Sequence, residues 1–94
     1  MIPIKIPRKL KLYRKNEDRD LISLLDFTLT GNYVIIKVNY IDADMEFRTY
    51  PTGIIKWIEN HIKAASEADD IEDEVIGEQT ITCVSGKYSV AINN

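Results

Sequence analysis

Thr30-Gly31-Asn32-Tyr33 constrains this chain more than any other four residues. Gly-Asn between two apolar runs is the signature of a two-residue β-hairpin, because both residue types tolerate positive φ. Pairing Thr30 with Tyr33 sets Leu29 opposite Val34, Phe27 opposite Ile36 and Leu25 opposite Val38. All six then share one face, and on the other face Asp26 meets Lys37, an opposite-charge cross-strand pair. A slip of one residue would turn every apolar side chain to the wrong face, so the pattern predicts the register as well as the hairpin.

The meander continues beyond it. A turn near Asp42-Ala43 brings Val38 and Tyr40 onto one face with Met45 and Phe47, giving three strands over 21–50. Its start is ambiguous, since 16–22 also reads as a helical turn capped by Asn16. Tyr50-Pro51-Thr52-Gly53 ends the meander, with Pro51 holding Tyr50 extended and Thr52 as an N-cap. Ile54, Ile55, Ile58, Ile62 and Ala65 then form one stripe on a helix predicted over 53–66.

Residues 2–14 alternate, with Ile2, Ile4, Ile6, Leu10 and Leu12 on one parity. Pro3 and Pro7 cannot donate to a ladder, and lysines shield strand edges. The expectation is an edge strand over 8–14 after an extended arm, 1–7. The stretch 67–77 reads as an acidic connector, with Asp69/Glu72 and Gly77 able to bound a short helix at 70–76. A last hairpin turns at Ser85-Gly86 or Gly86-Lys87, with Ile81 and Cys83 sharing a face with Tyr88, Val90 and Ile92. The predicted fold is a single α+β domain over 1–94. It has a small antiparallel sheet of five to six strands, meander plus C-terminal hairpin, on one main α-helix, in the order β-β-β-β-α-β-β.

Charge is distributed unevenly. Residues 1–15 hold Lys5, Arg8, Lys9, Lys11, Arg14 and Lys15 and no acid, a charge of +6. The other six bases face all fifteen acids, a balance of −9 within a net −3. The two segments either attract each other in the fold or serve different partners. The one cysteine, Cys83, allows no intrachain disulfide, and no apolar run approaches a signal peptide or membrane span. These features predict a cytoplasmic protein that does not engage membranes.

Catalytic and cofactor signals are not legible. His61 has no Cys or His companion at ligand spacing, and Cys83 sits on an apolar strand parity. Neither nucleotide-binding glycine loops nor zinc or calcium patterns occur, so no enzyme, cofactor or metal site is predicted.

What remains is surface. Trp57 lies beside the helix stripe with His61 between it and Ile54, either as an interface anchor or covered within the monomer. The sheet's second face holds Ile22, Leu24, Tyr33, Ile35, Ile41 and Tyr50 among Asp26, Lys37, Glu46 and Arg48, which one helix cannot also cover. The C-terminal hairpin or another chain is needed there. Asp69, Asp70, Glu72, Asp73 and Glu74 form a dense acidic segment, read as solvated surface or as a mimic of phosphate. Trp57, His61, Tyr33, Ile35, Tyr50 and these acids are the expected partner-binding residues of a non-catalytic interaction module. It would be an inhibitor or adaptor of a larger protein, or a homodimer. The alternative is a nucleic-acid accessory protein using Lys5, Lys9, Lys11, Tyr13, Arg14 and Lys15, with Tyr13 stacking on a base. The acidity of the rest opposes it. Small acidic α+β inhibitors encoded by mobile elements are similar to this chain in size and charge, a likeness of composition that transfers no residues.

Overall fold

The computed structural model describes residues 3–93. Six strands form one antiparallel sheet: β1 (Ile4–Arg14), β2 (Leu21–Thr30), β3 (Tyr33–Tyr40), β4 (Asp44–Thr49), β5 (Ile71–Val84) and β6 (Lys87–Asn93). A 3₁₀ turn, Pro51–Gly53, leads into the helix α1 (Ile54–Ala68) between β4 and β5. The element order is therefore β-β-β-β-α-β-β, and the fold is α+β as the sequence predicts. In space the strands run β4-β3-β2-β1-β5-β6. The long axis of 48 Å is close to the span of the 14-residue β5, at about 3.3 Å per residue.

The first hairpin has the predicted register from Thr30↔Tyr33 through Asp26↔Lys37 to Leu25↔Val38. Only Gly31 takes a positive φ (61°), the sign pattern of a type II′ turn, in which glycine holds the first central position. At the second hairpin Ser85 and Gly86 both have positive φ (51° and 77°), as type I′ requires. Ile81↔Val90 and Cys83↔Tyr88 are paired there, on one face as expected.

The first strand departs from expectation. β1 is central, paired with β2 on one side and β5 on the other, and it starts at Ile4, so residues 4–7 are strand rather than arm. Met1 and Ile2, the start of that arm, lie outside the described residues. Pro7 is tolerated in mid-sheet for a local reason. β2 pairs with β1 only up to Lys9↔Asp26 and then diverges, so the strands part before Pro7. The Pro7 carbonyl faces the resulting notch, where it accepts from Gln79 Nε2 at 3.1 Å. Both backbone groups of a strand residue point the same way, so the missing N–H also falls in the notch.

The connector reading of 67–77 is likewise corrected. α1 runs to Ala68, and from Ile71 the acidic stretch is strand. The reason is the partner: Glu72 lies opposite Tyr13, Asp73 opposite Leu12 and Glu74 opposite Lys11 on the basic β1. The ten-pair ladder with β1, with one opposite-charge pair at Glu74 and Lys11, outweighs the local helix signal. Gly77, read as a helix end, is instead a strand residue at φ +73° opposite Arg8, where a Cβ would come within 2.8 Å of Arg8 Cδ. Residues 16–20 form a turn and not a helix, with Asn16 bonded to Asp20.

The core lies between α1 and one sheet face: Leu10 and Leu12 from β1, Leu25 and Phe27 from β2, Val34, Ile36 and Val38 from β3, and Ile54 from α1, all buried. Ile6 and Ile81 extend it toward β5. Ile54, Trp57, Ile58, Ile62 and Ala65 face inward from the helix, while Ile55 is exposed. The true stripe is thus rotated from the predicted one, because the ring of Trp57, with more area to bury, displaces Ile55. Thr52 does not cap the helix; the N-cap is Gly53, without a side-chain bond.

Candidate interaction surfaces

Trp57 sits half-buried between α1 and the sheet. Its ring meets Phe27 edge-on at 6.5 Å and Phe47 at 5.5 Å, and His61 stacks on its other side at 5.1 Å and 8°. The monomer itself therefore covers much of Trp57. Burial holds the His61 pKa below its ordinary value of 6.5. Beside His61 lies a hollow of about 220 Å³ bounded by Ile22, Ser23, Tyr40 and the small side chains Ala64, Ala65 and Ala68. Ser23 Oγ is buried there with no hydrogen-bond partner. Ile22 reaches this hollow because a bulge at Leu12/Tyr13 shifts the β1–β2 register, which takes it off the face predicted for it.

The second sheet face is open to solvent. The C-terminal hairpin does not fold over it but extends the sheet beside β1. Charge makes this tolerable. Across four strands, Lys9, Asp26, Lys37 and Glu46 stand in one cross-strand row of alternating sign, with Lys9 3.7 Å from Asp26. The half-buried Leu24 and Ile35 lie among these long side chains, whose stems cover apolar surface. At one end Tyr33 and Tyr50 stack at 5.0 Å, their hydroxyls 3.5 Å apart. That hydrogen bond, followed by the neighbouring phenol's charge, raises the Tyr50 pKa. At the opposite end Leu21 and Ile41 flank a shallow hollow with Leu24 and Tyr40, and Ile41 is 83% exposed.

Two arginines, Arg14 and Arg19, reach the acidic segment. Arg14 bonds Asp69 at 3.2 Å and approaches Asp20 at 3.6 Å, and Arg19 bonds Glu72 at 2.7 Å and lies 3.8 Å from Glu74. The Arg19 guanidinium also covers the Tyr13 ring at 4.2 Å. Asp70 accepts the Lys15 amide through its backbone carbonyl. The expected site residues therefore do not converge. Trp57 and His61 lie on the helix side, Tyr33, Ile35 and Tyr50 on the open side, Asp69 and Asp70 between α1 and β5, and Glu72, Asp73 and Glu74 along the outer half of β5. Among the described residues no three His, Cys, Asp or Glu side chains group as a metal site. Among them too, no helix is long and apolar enough to cross a membrane.

One surface escaped the sequence reading. The helix packs over β1–β4, and beyond it the outer strand β6 is less sheltered than β5, whose Ile81 and Gln79 are buried. Val90 and Ile92 project there, 41% and 48% exposed. With Phe27, Leu29 and Gln79 they line a cleft of about 260 Å³ between β2 and β6. Gln79 forms its floor, 3% exposed, donating to Phe27 O at 2.7 Å as well as to Pro7 O. The signal was present in Lys87-Tyr88-Ser89-Val90-Ala91-Ile92-Asn93: an alternating strand with one charge and no proline. Its strand order, which decides exposure, was not. Comparison with protein-family models, with curated proteins and with solved structures finds no match to this chain.

Proposed function

We propose that this chain is a small non-catalytic protein-interaction module that binds another protein or a second copy of itself. The observation that carries the reading is the outer strand β6, where Val90 and Ile92 stand in solvent on the same sheet face that α1 shelters elsewhere. Exposed apolar surface of this kind marks interaction sites. The stacked Tyr33–Tyr50 pair and Ile41 add lesser apolar points at the two ends of the sheet. An inhibitor or adaptor role would use these with the acidic outer half of β5. The unpaired Cys83 suits a reducing compartment such as the cytoplasm.

Nucleic-acid binding has less support from the geometry. Lys5, Lys9, Lys11 and Tyr13 do share one face of β1, but Lys9 is paired with Asp26, Lys11 lies opposite Glu74, and Tyr13 is already covered by Arg19. Phosphate would have to displace an acid at Lys9 and at Lys11.

The test has two arms. Tagged chain is cross-linked in extract of its source cells beside a Tyr50→Ala/Val90→Lys variant, and self-association is measured with purified protein. A partner of defined identity held by the native chain and lost by the variant supports the module, as does self-association. A monomer that holds no partner in preference to the variant refutes it.

A further inference from the structure

The sheet has three free edges, and they are not alike. β4 carries Asp44, Glu46 and Arg48 and runs into Pro51. The outer half of β5 carries Glu72, Asp73 and Glu74 and is interrupted by the positive-φ Gly77. Charges and irregular backbone at an edge prevent a further strand from adding. β6 has neither protection, with Lys87 its one charge and apolar side chains along one face.

We infer that β6 is a self-pairing edge: two copies of this chain join β6 to β6 antiparallel about a two-fold axis at Val90, making one continuous sheet. The inference rests on the module reading and names its partner.

Backbone geometry supplies the first argument. Val84 and Lys87 close a two-residue turn, so they form a hydrogen-bonded pair. Alternation then points the backbone groups of Lys87, Ser89, Ala91 and Asn93 toward β5, and those of Tyr88, Val90 and Ile92 outward. With the axis at Val90, the outward residues meet one another: Val90 meets the partner's Val90, and Tyr88 meets the partner's Ile92. Every free donor along the strand therefore finds a free acceptor in this register.

Side chains supply the second. Tyr88, Val90 and Ile92 from both copies lie on one face, where an aromatic–aliphatic pair flanks a valine pair on each side, combinations that favour pairing. Charge supplies the third. Lys87 does not meet itself but stands opposite the partner's Asn93. Asn93 Nδ2 is bonded to Glu78 Oε1 at 3.2 Å, so each lysine enters a row that ends in a carboxylate. An interface of this kind is isologous and closes at two copies. It joins one seven-residue strand to its copy, well short of the roughly 20–30 residues a side of a standard stable interface, so it forms as concentration rises.

The experiment uses the full chain. Sedimentation from micromolar to millimolar concentration is expected to show a monomer passing to a dimer and stopping there. Hydrogen exchange read by NMR is expected to show the Tyr88, Val90 and Ile92 amides protected only in the concentrated sample. Those of Ser89 and Ala91 are protected in both. Val90→Pro removes an outward N–H that the monomer does not use, and Val90→Lys places two like charges on the axis. Each is expected to raise the dissociation constant roughly tenfold or more, and mixing Val90→Lys with Val90→Glu is expected to restore a dimer. Wild-type protein that stays monomeric overturns the inference. So does a dimer whose Val90 amide stays unprotected, or one that both substitutions leave unchanged. A monomer that nonetheless holds a defined partner protein overturns self-pairing alone and leaves the module reading standing.

Discussion

Gln79 holds together the place where the sheet divides. β2 leaves β1 after Asp26, and the carbonyls of Phe27 and Pro7 are left facing a notch with no strand between them. The Gln79 amide supplies both hydrogen bonds, at 2.7 and 3.1 Å, from a nearly buried side chain. Gln79→Leu keeps the volume and apolar stem but removes the donors. Each carbonyl left unpaired costs about 1–3 kcal/mol, and the cleft's opening to solvent keeps the total near the lower half, about 2–4 kcal/mol. At about 0.05–0.15 kcal/mol per residue this domain has roughly 5–14 kcal/mol in all, so the loss is a large part of it. Urea unfolding followed by Trp57 fluorescence should show the midpoint falling by about 1–3 M. Gln79→Glu refines the argument. Two carbonyl oxygens beside the new carboxyl raise its folded pKa above the usual carboxylate value of about 4.3. Below the unfolded pKa the protonated acid still donates one bond, and that stability is lost as pH rises through the folded pKa. A Gln79→Leu protein as stable as wild type, or a Gln79→Glu deficit independent of pH, would refute this account.

Three further outcomes follow from other sites. Gly77→Ala should destabilise by about 1–2 kcal/mol because φ +73° disfavours a Cβ. Adding Arg8→Ala should recover little in chemical denaturation, since the backbone and not the flexible Arg8 side chain sets the cost. The His61 ring should titrate below 6.5 by NMR. The stability it contributes is complete above that value and is lost as pH falls through the folded pKa, a dependence that His61→Gln removes. Finally, ultraviolet titration of Tyr33→Phe should show Tyr50 ionising closer to its ordinary value of 10.0, because the hydrogen bond that the neutral Tyr50 hydroxyl donates to Tyr33 is the chief cause of its elevation.

Local signals carried the meander, its register, the helix and both hairpins, because each depends on residues close in sequence. Gly31-Asn32 sets a turn, a turn sets a register, and alternation with period two assigns faces. The helix stripe was legible in position but rotated, since a wheel cannot weigh which of Ile55 and Trp57 buries the larger surface. The candidate site was less legible. Trp57 stayed open between free anchor and covered side chain, because its covers, Phe27 and Phe47, are set by how the helix docks on the sheet.

By itself the sequence determined which segments are strand or helix around the first hairpin, and that one face of each is apolar. The tertiary structure decided which strands are neighbours. It placed β1 in the centre, drew 71–77 into a strand against the basic β1, and put β6 at an unguarded edge. The physical reason is range: turn geometry and periodicity act over a few residues. The pairing of residues 4–14 with 71–81 joins segments some sixty residues apart in the chain, and only the whole fold balances its contacts against the loop entropy it costs.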